Sequence, residues 1–149
     1  MRIALPFLAL PRPAPPIPRP AVWVRIVGPR GALSRPIVAL LDTGALSTIL
    51  PGRVAAKAGV RPRSDPPVLI SIGGARVPAW RAGEVRLRIL GRVGDPDEER
   101  GGLDIPSVAV LVSSPPFLDL AVLGQRGFLD RIDELCVRAN EEVFEIARG

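Results

Sequence analysis

Few of the groups that do chemistry in proteins are present in this chain. It has no histidine and one cysteine, Cys136, in 149 residues. A hydroxyl or thiol nucleophile therefore has no imidazole to activate it, an internal disulfide is impossible, and the usual zinc ligand sets cannot be assembled. What remains is carboxylate chemistry. One acid stands out by its neighbours: Asp42 ends the apolar run Ile37-Val38-Ala39-Leu40-Leu41 and is followed at once by Thr43, Gly44 and Ala45. Such a run reads as a buried strand, an environment that rejects an acid unless the acid has a task. Thr43 brings a hydroxyl for local hydrogen bonds, and Gly44 lets the backbone turn sharply and another chain come close. Asp-Thr-Gly is also ordinary turn composition, so taken alone it leaves a functional acid and a plain turn both open.

The elements that would position this acid are short strands. Residues 21–27, with Trp23 and Val24, form a strand; Gly28-Pro29-Arg30-Gly31 is a turn, and the return strand ends at Asp42. A strand over 47–50 follows. Pro51 then stands where a first helical residue is favoured, with a short helix to Lys57 closed by Gly59. Residues 68–72 and 75–80 flank Gly73-Gly74 as a hairpin with a flexible tip. Val85, Leu87 and Ile89 alternate with Arg86 and Arg88, so a further strand buries one face and shows arginines on the other.

The polar stretch 91–102 contains Asp95, Asp97, Glu98 and Glu99, whose spacing fits no EF-hand; it reads as a solvated loop. Residues 105–112 form a strand, Ser113-Ser114-Pro115-Pro116 a loop, and Leu120-Ala121-Val122-Leu123 a second continuous apolar strand, ending at Gly124. A short helix over 128–132 and two strands around Asn140-Glu141 complete the chain. Nearly everything is β, which suggests a small Greek-key-like barrel or sandwich.

Size and composition narrow the choice. One domain with a real core fits 149 residues. We expect a proline-rich N-terminal arm over residues 1–20, with six prolines in residues 11–20, and a single domain over 21–149. Hydrophobic content of 47% excludes a chain disordered throughout. The net charge of +5 invites a nucleic-acid partner, but the basic residues, all arginine except Lys57, are dispersed, and aromatics make up only 4%. With neither a basic run nor stacking residues, no nucleic-acid partner is expected. The apolar N-terminal run is broken by Pro6 and no segment reaches the length of a membrane span, so we expect neither secretion nor a membrane partner, and a cytoplasmic location.

Three separated signals lie in one order: Leu40-Leu41-Asp42-Thr43-Gly44-Ala45, then Ile72-Gly73-Gly74, then Val122-Leu123-Gly124 followed by Phe128-Leu129. Together they resemble the retropepsin-like, single-lobed aspartic proteases of retroviral type, especially their bacterial relatives. The resemblance implies an all-β fold, a small closed barrel of the acid-protease type with one or two short helices and a β-hairpin flap. It implies that Asp42 is catalytic, that Thr43 bonds across to its counterpart in a second subunit, and that Gly44 helps hold the substrate backbone. Ala45, Ile72, Gly73 and Gly74 would bind substrate, the last three as the flap tip, and Leu123-Gly124 would pack behind the Asp42 loop.

One Asp-Thr-Gly per chain implies a homodimer acting on a peptide or protein substrate, with no cofactor and no metal. Leu46 and Ser47 stand where the retroviral enzymes usually carry acids, Gln125-Arg126-Gly127 is one residue longer than their commonest pattern, and the ends differ. A second expectation is therefore a protease-fold module without activity that binds peptides or protein partners.

Overall fold

Branched and apolar residues at alternate positions, punctuated by glycine and proline, favour many short strands over helices. The computed structural model describes residues 1–10, 16–72, 74–91, 93, 101–113 and 120–149. In chain order they form β1 (Arg2–Pro6), β2 (Leu8–Leu10), β3 (Ile17–Arg19), β4 (Ala21–Val27), β5 (Ile37–Leu41), β6 (Thr48–Pro51), α1 (Gly52–Lys57), β7 (Val68–Ile72), β8 (Ala75–Leu90), β9 (Leu103–Ser113), β10 (Leu120–Leu123), a 3₁₀ turn (Leu129–Arg131), β11 (Glu134–Arg138) and β12 (Val143–Ala147).

Six strands close a barrel in the order β4-β5-β10-β6-β9-β8, with β8 returning to pair with β4. The β5–β10 and β6–β9 pairings are parallel and the rest antiparallel. Closure leaves the wall no free edge. Ile26, Leu87, Ile89, Ile105, Leu123 and Phe128 are fully buried in the core. The small closed barrel expected above is therefore observed, with one short helix and a β7–β8 hairpin added at β8.

The structure redraws several elements. Residues 75–80 and 85–89, read separately in sequence, belong to one strand of 16 residues, β8. Register irregularities between Arg81 and Gly83 and between Val85 and Leu87 bend it without ending it, which lets a single strand serve β7, β9 and β4 in turn. Pro51 caps α1 (φ −62°, ψ 125°) rather than opening it. The segment after Phe128 is a single 3₁₀ turn. The acidic residues Asp95, Asp97, Glu98 and Glu99 and the Ser114-Pro115-Pro116 loop lie outside the described residues.

The termini build a second sheet, in the order β1-β12-β11, antiparallel throughout. Its inner face supplies Leu5, Phe144 and Ile146 to the barrel core. Its outer face carries an ion-pair chain in which Arg2 bridges Glu134 and Glu145, and Arg138 bonds Glu145 at 2.7 Å. The two strands expected around Asn140-Glu141 are β11 and β12. β2 pairs with β3, so residues 17–19 fold back on 8–10. Among the described residues no helix is long and apolar enough to cross a membrane.

Candidate active site

β5 delivers Asp42 to the barrel rim. Leu41 is buried in the core, so by strand alternation Leu40 and Asp42 face the other way. The Asp42 N–H donates to the Leu123 carbonyl at 3.0 Å, carrying the parallel β5–β10 ladder one residue past the end of β5. The chain then turns on the acid itself: Gly44 N–H donates to Asp42 Oδ1 at 2.9 Å, and Ala45 N–H donates to the Asp42 carbonyl at 3.1 Å. This is an aspartate-nucleated turn, in which the side chain imitates a backbone acceptor. Asp42 is half-buried, and Thr43 and Gly44 are exposed. The buried run thus ends in an acid at the solvent boundary, which removes much of the burial cost argued from sequence.

A second segment laces this turn in place. Gln125 N–H donates to the Ala45 carbonyl at 2.8 Å, Arg126 N–H to the Leu46 carbonyl at 2.9 Å, and Thr48 N–H to the Arg126 carbonyl at 3.0 Å. The Gln125 side-chain amide reaches the Thr43 carbonyl at 2.8 Å. The Thr48 hydroxyl, fully buried, donates to the Arg126 carbonyl at 2.9 Å and accepts the Gly124 N–H at 3.2 Å. Only glycine fits at position 124, because a Cβ there would lie 2.3 Å from the Ser47 carbonyl oxygen and 2.8 Å from that of Ala45. Behind it, Leu129 N–H donates to the Gly124 carbonyl at 3.1 Å, next to the fully buried Phe128.

A small apolar cluster separate from the barrel core lies beside this turn. Ile49, Ala79 and Leu111 are buried there, with Ile70 and Val122 packed against them. In β10, Ala121 and Leu123 enter the barrel core, so Val122 points outward; its register partners are Leu40 and Ile49. Partners across a sheet share a face. The cluster therefore sits on the face from which Asp42 projects, and Ile70 and Ala79 bring in the β7–β8 hairpin.

Of the residues expected to matter, Asp42, Thr43, Gly44 and Ala45 come together as one turn. Ile72 and Gly74 lie apart from it on the hairpin, where Ile72 is the register partner of Ala75 and Gly74 is exposed in a left-handed conformation (φ +82°). Gly73 lies outside the described residues. Leu46, at 61% exposure, projects next to the turn. Sequence reasoning missed Thr48 and Gln125 as supports. Thr48 had a usable signal, a hydroxyl opening the apolar strand Thr48-Ile49-Leu50; Gln125 had none beyond following Gly124.

Comparison with known proteins supplies the family. The sequence family described as Aspartyl protease matches residues 23–116, which include the Asp42 turn and the β7–β8 hairpin. No curated protein sequence matches the chain. Among solved structures, it is similar to a retropepsin-like aspartic protease from Rickettsia conorii, with 15% sequence identity, a TM-score of 0.44, and coverage of 85% of this chain and 90% of that one. With the match spanning residues 23–116 of 149, well over half of its length, the chain belongs to the aspartyl protease family.

Proposed function

We propose that this chain is an aspartic endopeptidase active as a homodimer, in which each copy contributes one Asp42. The observation that carries the reading is the half-buried Asp42 carboxylate at the rim of a closed barrel, its Oδ1 fixed by Gly44 and its turn tied to residues 123–126. One carboxylate cannot both take a proton from water and give one to the scissile carbonyl oxygen. Two copies of Asp42 across a two-fold axis divide that work. Paired carboxylates about 3 Å apart share a single proton, the known behaviour of aspartic proteases.

In this scheme the ionised Asp42 takes a proton from water as the oxygen attacks the peptide carbon, while the protonated Asp42 gives its proton to the carbonyl oxygen. As the tetrahedral diol collapses and the C–N bond breaks, the leaving nitrogen takes its proton from the Asp42 that had received one from water, and the other, now ionised Asp42 takes a proton from a diol hydroxyl, which restores one ionised and one protonated carboxyl. No covalent intermediate forms and no histidine or cofactor is needed. Thr43 bonds to its counterpart, Gly44 and Ala45 hold substrate backbone, and Ile72, Gly73 and Gly74 close over the peptide as a flap. The apolar cluster around Ile49 and Val122 favours apolar side chains flanking the cleaved bond.

The test is cleavage of a peptide library by the parent and by Asp42→Asn between mildly acid and neutral pH. Loss of cleavage in the variant supports the proposal; equal rates end it. Exposed Leu46 beside the turn favours a second reading, an inactive module that binds peptides beside the same turn. Peptide binding without turnover, unchanged in Asp42→Asn, would select that reading.

A further inference from the structure

β11 is the last strand of the terminal sheet, and among the described residues nothing pairs with its second edge. An unpaired edge is a template for another strand, and proteins usually blunt one with proline, charged side chains or a bulge. β11, Glu134-Leu135-Cys136-Val137-Arg138, has no proline, carries its charges only at its two ends, one of each sign, and pairs with β12 in unbroken register. We propose that this edge binds the same edge of a second copy, antiparallel, with the two-fold axis through Cys136. The proposal builds on the homodimer reading above and names the surface that brings the second copy.

The hydrogen-bonding pattern can be read from the sheet. Met1 and Arg148 exchange backbone hydrogen bonds, and Phe7 N–H donates to the Glu142 carbonyl. Even-numbered residues of β12 therefore point their backbone groups at β1, and Val143, Glu145 and Ala147 point theirs at β11. Their register partners are Arg138, Cys136 and Glu134. By the same alternation Leu135 and Val137 direct their N–H and C=O groups outward, to the open edge. A two-fold pairing through Cys136 sets Leu135 against Val137 of the partner subunit, and these two positions exchange four backbone hydrogen bonds.

The side chains fit the same register. On the core side Leu135, packed against the barrel core, meets the second copy's Val137, which is 46% exposed in the single chain. On the outer side Glu134 meets Arg138 of the partner subunit, and Arg138 meets its Glu134. Both are about half exposed, at 52% and 45% of the side chain, and can span two partners. Opposite charges and apolar pairs set directly across a sheet are both favourable. Moving the axis by one residue either way separates Glu134 from Arg138.

The opposite edge of the sheet lacks this property. β1 ends in Pro6, and a two-fold centred on Ala4 would place Arg2 against that proline. Pairing through β11 instead gives one six-stranded sheet, β1-β12-β11 continued by its symmetry mate. Both barrels then lie on the same side of it.

Cys136 provides a direct readout. At the axis it forms a non-hydrogen-bonded pair with its own counterpart, with Cα atoms about 4.5 Å apart, within the range of roughly 4.4–6.8 Å that a disulfide spans. Diamide, taking up two electrons and two protons, should convert the parent protein to a reducible covalent dimer. Val137→Pro removes an N–H that β12 does not use, so the variant should stay folded while dimerising at least about tenfold more weakly by sedimentation. Glu134→Arg and Arg138→Glu should each weaken dimerisation, and the double exchange should restore it.

A dimer indifferent to Val137→Pro and resistant to diamide overturns the proposal, as does a parent protein that stays monomeric at high concentration. Asp42→Asn separates it from the proposed function, because that variant should dimerise as the parent does. Asp42-dependent cleavage by a dimer indifferent to Val137→Pro removes only this interface. A β11 dimer with no Asp42-dependent cleavage removes only the peptidase.

Discussion

The Thr48 hydroxyl accepts the Gly124 N–H at 3.2 Å while donating to the Arg126 carbonyl at 2.9 Å, joining β6 to the chain just past β10 from a fully buried position. Thr48→Val keeps the shape and removes both bonds, stranding the Gly124 N–H away from water. An unsatisfied buried donor of this kind costs about 1–3 kcal/mol, and the lost bond to Arg126 adds to it. We expect urea unfolding to show a loss of about 2–3 kcal/mol in Thr48→Val. Thr48→Ser, which retains the hydroxyl, should lose less than half of that.

Gly124→Ala tests the closest backbone approach in the site. The added methyl would meet the Ser47 carbonyl oxygen at 2.3 Å and its carbon at 2.6 Å, neither of which belongs to a side chain that can swing away. The 45–47 segment has to move, and the hydrogen bonds from Gln125 and Arg126 to Ala45 and Leu46 move with it. The expected outcome is destabilisation beyond about 3 kcal/mol by chemical unfolding, among the largest for a single methyl. Protein that still folds should lose Asp42-dependent peptide cleavage.

Strand-level features were legible in the sequence wherever a continuous or alternating apolar run met a clear breaker. The strand running up to Asp42, the β7–β8 pairing and the apolar strand ending at Gly124 were legible because each is an apolar run with glycine at or near its end. The continuity of β8 was not, because Arg81-Ala82-Gly83 looks like a break; it is a bulge, and only pairing with β9 distinguishes the two. β1 was invisible for a related reason. Residues 2–6 carry no strong pattern of their own and are held by β12, more than 130 residues away. In the site, the turn was legible because aspartate, threonine and glycine each have a local role there. Its lacing to residues 124–126 depends on non-local carbonyl partners that no sequence pattern records.

The terminal sheet should loosen in acid. The hydrogen bond from Arg2 holds the Glu145 carboxyl below its ordinary value of 4.5; desolvation opposes that shift and the charge of Arg138 adds to it. The folded protein therefore binds this proton less readily than the unfolded chain. The stabilisation is complete above about pH 4.5 and is lost as pH falls through the lower folded value. Parent and Glu145→Gln should differ in unfolding midpoint at neutral pH and converge in acid. Midpoints that differ equally at all pH values would show that the Arg2–Glu145 pair is not the cause.

Gln125 should position the Asp42 turn without carrying much stability. Its side chain is exposed, and it spends its amide N–H on the Thr43 carbonyl at 2.8 Å, one residue from Asp42. An exposed hydrogen bond of this kind contributes less than about 1 kcal/mol to folding. Its value lies in fixing where Thr43 and Asp42 sit, and small misplacements of reacting groups are costly in rate. Gln125→Glu keeps the length but, once ionised, sets an acceptor against an acceptor. We expect kcat to fall about tenfold near neutral pH, with KM changed much less and the unfolding midpoint nearly unmoved. Below about pH 4.3 the new carboxyl regains a proton and can donate to Thr43 again. The ratio of variant to parent kcat, taken at each pH, should therefore rise toward one as pH falls. A ratio that stays flat with pH would mean that Gln125 acts through bulk or packing rather than through this hydrogen bond.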